Sequence, residues 1–442
     1  MAGLGLEVNK ITFHTYRSDS TWLSAALFST ALENVTARQS ILINELAPRL
    51  LTVDIARAIT DEFPQFESLL QLWQTGDEIA FPTLGGSARF PTNLRWGELR
   101  TIWVDFVRCT LRNLAKHPDF IDEAEHTVQS WKPTLPGERS ATPWDPDVNN
   151  WRYDAASLAA AHPLLWDIPN LEASTNLALL AEPDPLGKRK WKARSNVDLY
   201  AHSAASIAIR FLESVSSAVQ ARVRQIILLE DRVTVANSPS HVQGLLPFYR
   251  ANPRLHIQRV VNVWEVGITP ETRFAIEPLR ISAITKSLGC WILETMRLQG
   301  QIPEGSFQLI LDGNPTLDIT SEAFRLMMHG AALHNALNEL FDRQVLPRPS
   351  LLHSSRNRAF AYHYNGLYEA LRKLGDGQCA SWIDCNFEIG TMPDTQSLIE
   401  ERSGWSVEDW EHEWNEHLLQ EFETGDPLPP YRELHPVSIA YW

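Results

Sequence analysis

Through most of residues 20–130, apolar residues recur every three to four positions, the spacing of one face of an α-helix. "ALFSTALENVTARQSILINELAPRLL" and "FESLLQLW" carry the pattern. The clearest case is "LRWGELRTIWVDFVRCTLRNLAKH", where Leu99, Ile102, Trp103, Phe106, Val107 and Leu111 fall on one stripe and predict an amphipathic helix laid on a core. From residue 131 to 196 the periodicity breaks. Prolines stand at 133, 136, 143, 146, 163, 169, 183 and 185, with Trp144, Trp151, Trp166 and Trp191 between them. Proline removes a backbone donor and breaks helices, and so much indole surface is not left in water. The stretch is therefore expected to be a long ordered connection over the domain surface.

Beyond residue 196 the period itself alternates. "AASIAIRFLESVSSAVQARV" reads as helix and "RQIILL" as a short buried strand. "SHVQGLLPFYRANP" reads as helix, with Ser238 or Ser240 as N-cap. "LHIQRVVNVWEV" and "SFQLILDGN" follow as strands, separated by the helix "RISAITKSLGCWILETMRLQG", and "SEAFRLMMHGAALHNALNELFDR" closes the series as helix. Helices alternating with strands predict an α/β fold, a mainly parallel sheet flanked by helices on both faces, with a helical N-terminal region. The expected organisation is a helical region over 1–131, a Pro/Trp-rich connection over 132–196, an α/β core over 197–398, and an acidic helix and tail over 399–442.

Composition narrows the class. Hydrophobic residues make up 44% and charged residues 21% of 442, as in a folded globular chain. No run of 18 apolar residues occurs and the start lacks an apolar signal core, so a cytoplasmic protein without a membrane partner is expected. Four cysteines, Cys109, Cys290, Cys379 and Cys385, fit no disulfide framework or zinc knuckle, and no metal is expected. "HEWNEH" places His412 and His417 five apart, not the four that put both on one helical face; "SVEDWEHEWNEHLLQEFE" is better read as a helix capped by Ser406 and Asp409.

Charge is uneven. The net charge is -15, and residues 400–426 hold ten acids against one arginine. Against that stands "KRKWKAR", with Lys188, Arg189, Lys190, Lys192 and Arg194 around Trp191. Such a cluster suits phosphate contacts with Trp191 stacking on a base or ribose. A nuclear-import signal and a solvated loop account for the same residues.

Two stretches carry candidate chemistry. Ligands of open α/β sheets sit beyond the carboxyl ends of strands. "RQIILL" runs directly into Glu230, Asp231 and Arg232, and Ser240 and His241 are expected at the start of the next helix. Two carboxylates, a guanidinium, a hydroxyl and an imidazole are thus expected at one edge; a surface salt-bridge cluster beside an N-cap serine is the plainer reading. In "CASWIDCNFEIG", Asp384 and Glu388 with Trp382 and Phe387 as walls suit a guanidinium ligand. No GxxxxGK[ST], GxGxxG or GxSxG occurs, so neither ATP nor another cofactor is expected.

Over residues 207–266 the chain resembles a group of fungal proteins. They share a strand ending in E-D-R, then H-x-Q-G-L-x-P-F and N-P-x-L-x-I-x-R-x-V-x-x-W. The corresponding residues are Glu230-Asp231-Arg232, His241, Gln243-Gly244-Leu245, Pro247-Phe248, Asn252-Pro253 and Trp264. Some similar fungal proteins are arginine-containing cyclodipeptide synthases, which join arginine from arginyl-tRNA to a second aminoacyl group from another tRNA and close a diketopiperazine. The resemblance implies an aminoacyltransferase of natural-product biosynthesis with two aminoacyl-tRNAs as substrates and no ATP, because the esters arrive activated. On that reading Glu230 or Asp231 anchors arginine or acts as base, His241 shuttles protons and Ser240 is a candidate acyl acceptor. Arg232, Trp264, Trp382, Asp384 and Glu388 would line the substrate site, and residues 188–194 would hold tRNA. Others in the broader group are F-box-like, which implies instead a non-enzymatic nuclear adaptor.

Overall fold

The computed structural model describes residues 10–15, 22–75, 97–130, 155–162, 164–168, 201–234, 236–268, 278–348 and 364–434. Five parallel strands form one sheet in the order β1-β2-β3-β4-β5: β1 Ile11–His14, β2 Gln225–Glu230, β3 His256–Asn262, β4 Phe307–Asp312 and β5 Ile383–Cys385. The fold is thus α/β with a helical N-terminal region, as the alternating periods imply. One boundary shifts: β1 lies inside the stretch read as helical and pairs with β2 through Ile11 opposite Ile226 and His14 opposite Leu229.

The strand order has no reversal. Where each crossover steps the same way and is right-handed, the connecting helices gather on one face. Burial follows that rule. Ile226, Leu228 and Glu230 on β2, Ile257, Arg259 and Val261 on β3, and Phe307, Leu309 and Leu311 on β4 are buried, while the residues between them are half-buried, save the exposed His256 at the start of β3. A sheet covered equally on both faces would be buried continuously; among the described residues the cover is fuller on the face of these buried side chains. On the other, Gln225, Gln258 and Gln308 hydrogen-bond in a ladder across three strands.

Helices α1 Trp22–Leu50, α2 Val53–Glu62, α3 Glu67–Thr75, α4 Arg100–Leu114, α5 Phe120–Ser130 and α6 Ala155–Ala160 pack around their own core of Leu42, Leu46, Ile59, Leu70, Phe106 and Leu158. The expected stripe of α4 is buried apart from the half-buried Ile102. Its start docks on the sheet unit, with Leu99 in the main core and Asn365 Nδ2 donating to Glu98 Oε1 at 2.8 Å.

Helix α7, Ala204–Ser214, packs on β1 and β2. After β2 comes a 3₁₀ helix over Ser238–Leu245, then α8, Leu246–Ala251. A single helix capped by Ser238 or Ser240 was expected. Instead Ala236 and Asn237 are both left-handed (φ 64° and 56°) and Asn237 opens the 3₁₀ turn. Gly244 lies there for want of room: a Cβ would stand 2.6 Å from the Trp166 ring and 2.7 Å from Ile209.

Helix α9, Ile281–Met296, and the first half of α10, Leu317–Asp342, fill the main core. Then come α11 Leu367–Gly375, α12 Thr395–Glu401 and α13 Val407–Leu419. The capping box of Ser406 and Asp409 opens α13 as expected. Its Trp410, Trp414 and Leu418 bury against Leu333 and Leu337 of α10. The acidic tail is therefore tied to the core, and Phe422 stacks on Trp264 at 6.2 Å.

Candidate functional site

Glu230 ends β2 on the buried parity, where a lone carboxylate would be prohibitive. Its charge is met by Arg259 of β3, a diagonal neighbour on the same face. Nε and Nη2 donate to Oε1 at 2.9 and 2.6 Å, and both side chains are within 1% of full burial. The amides of Ala204 and Ala205 at the start of α7 also donate to the carboxylate, at 3.0 and 3.4 Å, the favourable end of the helix for an anion. Two of the three remaining guanidinium protons reach the carbonyls of Ser238 (2.8 Å) and Pro239 (3.3 Å), and Trp291 covers its face at 4.5 Å. This pair locks β2, β3, α7 and the 3₁₀ helix together.

His241 lies in the same buried layer. Its Nε2 is 2.8 Å from the Ala236 carbonyl, which only accepts, so Nε2 carries the proton. Nδ1 then accepts from a serine hydroxyl, with Ser203 Oγ at 2.6 Å and Ser206 Oγ at 3.0 Å. Burial, helped by the Arg259 charge, lowers its pKa to about 3, so the ring is neutral at neutral pH. Ser203, the N-cap of α7, is fully buried and His241 nearly so. A serine–histidine pair is present, but inside the protein.

Asp231, one residue beyond Glu230, faces solvent. Its Oδ2 is 3.2 Å from His14 Nδ1 at the end of β1, and Thr15 Oγ1 donates to Oδ1. The expected convergence of Glu230, Asp231, Ser240 and His241 therefore does not form. Glu230 and His241 turn inward, Asp231 turns outward, and Ser240 Oγ donates to the Asn237 carbonyl at 2.7 Å. The Ser240 amide also donates to that carbonyl, so it is not an open helix-start N–H. Arg232 is exposed.

Further along the edge, β3 runs into a π-helical turn over Val263–Gly267, a feature frequent at functional sites. The Asn262 side chain accepts from the amides of Trp264 and Glu265, both at 3.0 Å. Trp264 is no substrate wall: it is buried, and its Nε1 donates to Thr320 Oγ1 at 2.7 Å. Glu265 is exposed. On β4, Asp312 Oδ1 accepts from the Asn314 amide, Asn314 Nδ2 and Asn386 Nδ2 at 3.0, 2.8 and 2.6 Å. Acidic side chains thus stand at the carboxyl ends of three successive strands.

The second expected pocket is not assembled. Trp382 and Phe387 are core residues, Phe387 lying 4.8 Å from Phe324, while Asp384 and Glu388 are exposed. The aromatic rings are used by the core and do not wall the acids. The basic stretch Lys188–Arg194 with Trp191 lies outside the described residues. Among the described residues no group of three or more His, Cys, Asp or Glu is arranged to hold a metal, and no helix is long and apolar enough to cross a membrane.

Three residues were missed from sequence. Arg259 had a readable sign, since it shares strand parity with buried Ile257 and Val261 and so needed a carboxylate. His14 had none, being 217 residues from Asp231. Glu294, fully buried on α9, accepts from Thr101 Oγ1 of α4 at 2.7 Å and from Gln243 Nε2 at 3.3 Å. Burial outweighs these donors and Arg297 and raises its pKa to about 7. Comparison with protein-family models, curated proteins and solved structures finds no match.

Proposed function

We propose that this chain is an aminoacyl-tRNA-dependent cyclodipeptide synthase that takes arginine from arginyl-tRNA and a second aminoacyl group from another tRNA. The reading starts from the resemblance over residues 207–266. The observation that carries it further is the acidic carboxyl edge, with Glu265 after β3 and Asp312 ending β4. This is the edge where parallel α/β sheets receive ligands, and carboxylates are the groups that grip a guanidinium through paired, charge-assisted hydrogen bonds. The basic cluster at 188–194 would meet the tRNA backbone.

The test is expression of the full chain in a bacterial host, with mass spectrometry of small molecules from cells and medium. An arginine-containing diketopiperazine is expected, absent from a host carrying an empty vector and labelled when the cells are fed isotopic arginine. A soluble, folded chain that yields none would overturn the reading.

A further inference from the structure

We propose that His14 is the general base of this edge and that Asp231 positions it, acting on the α-amine of an aminoacyl ester; the choice of substrate rests on the synthase reading above. Three observations lead there. First, His14 ends β1 and Asp231 follows β2, adjacent parallel strands, so both stand at the carboxyl edge. Second, the carboxylate engages Nδ1 of the ring at 3.2 Å. A carboxylate fixes the Nδ1–H tautomer, which leaves Nε2 as the proton acceptor. The His14 side chain is 58% exposed, so a substrate can reach it. Third, the support is rigid. Thr15 holds the other carboxylate oxygen. The residue before Asp231 is Glu230, anchored by Arg259 and two α7 amides. A positioned base needs such backing, whereas an ordinary surface ion pair contributes little and is not buttressed in this way.

The chemistry balances without a co-reactant. As the α-amine nitrogen attacks the ester carbonyl of the other aminoacyl-tRNA, Nε2 takes its proton. The C–N bond forms, the bond from the carbonyl carbon to the ribose oxygen breaks, and the imidazolium returns the proton to that oxygen. Asp231 stabilises the imidazolium between the two transfers. The same base serves the second, ring-closing attack, and His14 ends neutral.

His241 is the imidazole that sequence reading favoured for this work. It is sealed inside with both nitrogens engaged, whereas His14 has an outward face.

The experiment supplies purified full chain with bulk bacterial tRNA charged with all twenty amino acids, arginine being radiolabelled, and follows labelled diketopiperazine. His14→Ala should lower kcat/KM about 100-fold or more, the usual scale for a general base, with its thermal midpoint unchanged because the side chain is exposed. Added imidazole should restore part of the rate of that variant. Asp231→Asn should lose at least about tenfold, since it leaves the ring without its tautomer partner. Nitrogen-15 NMR of the wild type should find His14 as the Nδ1–H tautomer. Product at the wild-type rate from folded His14→Ala, or an Nε2–H tautomer, would overturn the proposal. A wild-type chain that forms no product at all overturns the synthase reading, and the pair then stands or falls as a base on the tautomer alone.

Discussion

At the scale of single residues, the Glu230–Arg259 pair is the most consequential feature, because two charges are held wholly out of water between adjacent strands. Such a pair is weak support for stability in itself, yet removing one partner strands the other charge. Arg259→Met is therefore expected to cost about 3–5 kcal/mol in urea unfolding. The double variant Glu230→Leu with Arg259→Met should recover most of that loss. A single variant that lost under about 1 kcal/mol, within the range of surface pairs, would mean that the pair is open to water. The left-handed Ala236 and Asn237 belong to the same story. They aim the Ala236 carbonyl at His241 and the Ser238 carbonyl at Arg259.

Among the elements, α9 joins the sheet unit to the helical region through Glu294. Asp105 and Arg297 complete the charged surroundings of this contact, Arg297 Nη1 lying 3.8 Å from the carboxylate and Nη2 3.2 Å from Asp105. The Glu294 pKa is raised from 4.5 to about 7 in the folded chain. The folded state thus binds a proton that the unfolded chain has released, so this contribution is present below pH 4.5 and is lost as pH rises to about 7. Glu294→Gln should remove that decline. Thermal midpoints measured from pH 4.5 to 8 would check it, and equal slopes in both proteins would refute the assignment. The elements themselves were unevenly legible. β2, β3 and β4 could be read because "QIILLE", "HIQRVVN" and "FQLILD" keep their parity along the strand. β1 could not, since "ITFH" is four residues with no local partner and its pairing is set by a strand far along the chain. The 3₁₀ helix was read as α because left-handed residues before Ser238, not the apolar pattern, decide how that turn begins. The same divide runs through the site: Glu230 and Asp231 were visible as a strand end, whereas their opposite fates depend on Arg259 and His14, which only tertiary pairing supplies.

For the whole molecule, buried histidines oppose Glu294. Burial lowers His241 to about 3, aided by Arg259, and His202 to about 4, aided by Arg210. Both are below the unfolded value of 6.5, so their contributions are intact above pH 6.5 and are lost as pH falls toward those values. By pH 4 each costs on the order of 3 kcal/mol. His334, lowered to about 4 by burial and by the Arg348 charge, adds a third such group, and these acid-side losses against the alkaline-side loss of Glu294 place the stability maximum near pH 6.5, the unfolded value of the histidines. Urea midpoints across pH 4 to 8 should trace that dome. A midpoint still rising on acidification below pH 6 would contradict it. On this scale the fold class was readable from the alternation of periods; that the cover is fuller on one face was not, because it follows from strand order.

The position of β1 also has a consequence for how the protein is made. His14 leaves the ribosome 217 residues before Asp231, a wait of roughly 10–40 s at ordinary elongation rates. The helical region is synthesised in that interval and can fold before the sheet exists, while the first strand remains without its neighbour. No nascent or prematurely terminated chain shorter than residue 231 can assemble the His14–Asp231 pair. If that pair handles activated esters, translation itself keeps it from acting on the cell's aminoacyl-tRNA until residue 231 has been added.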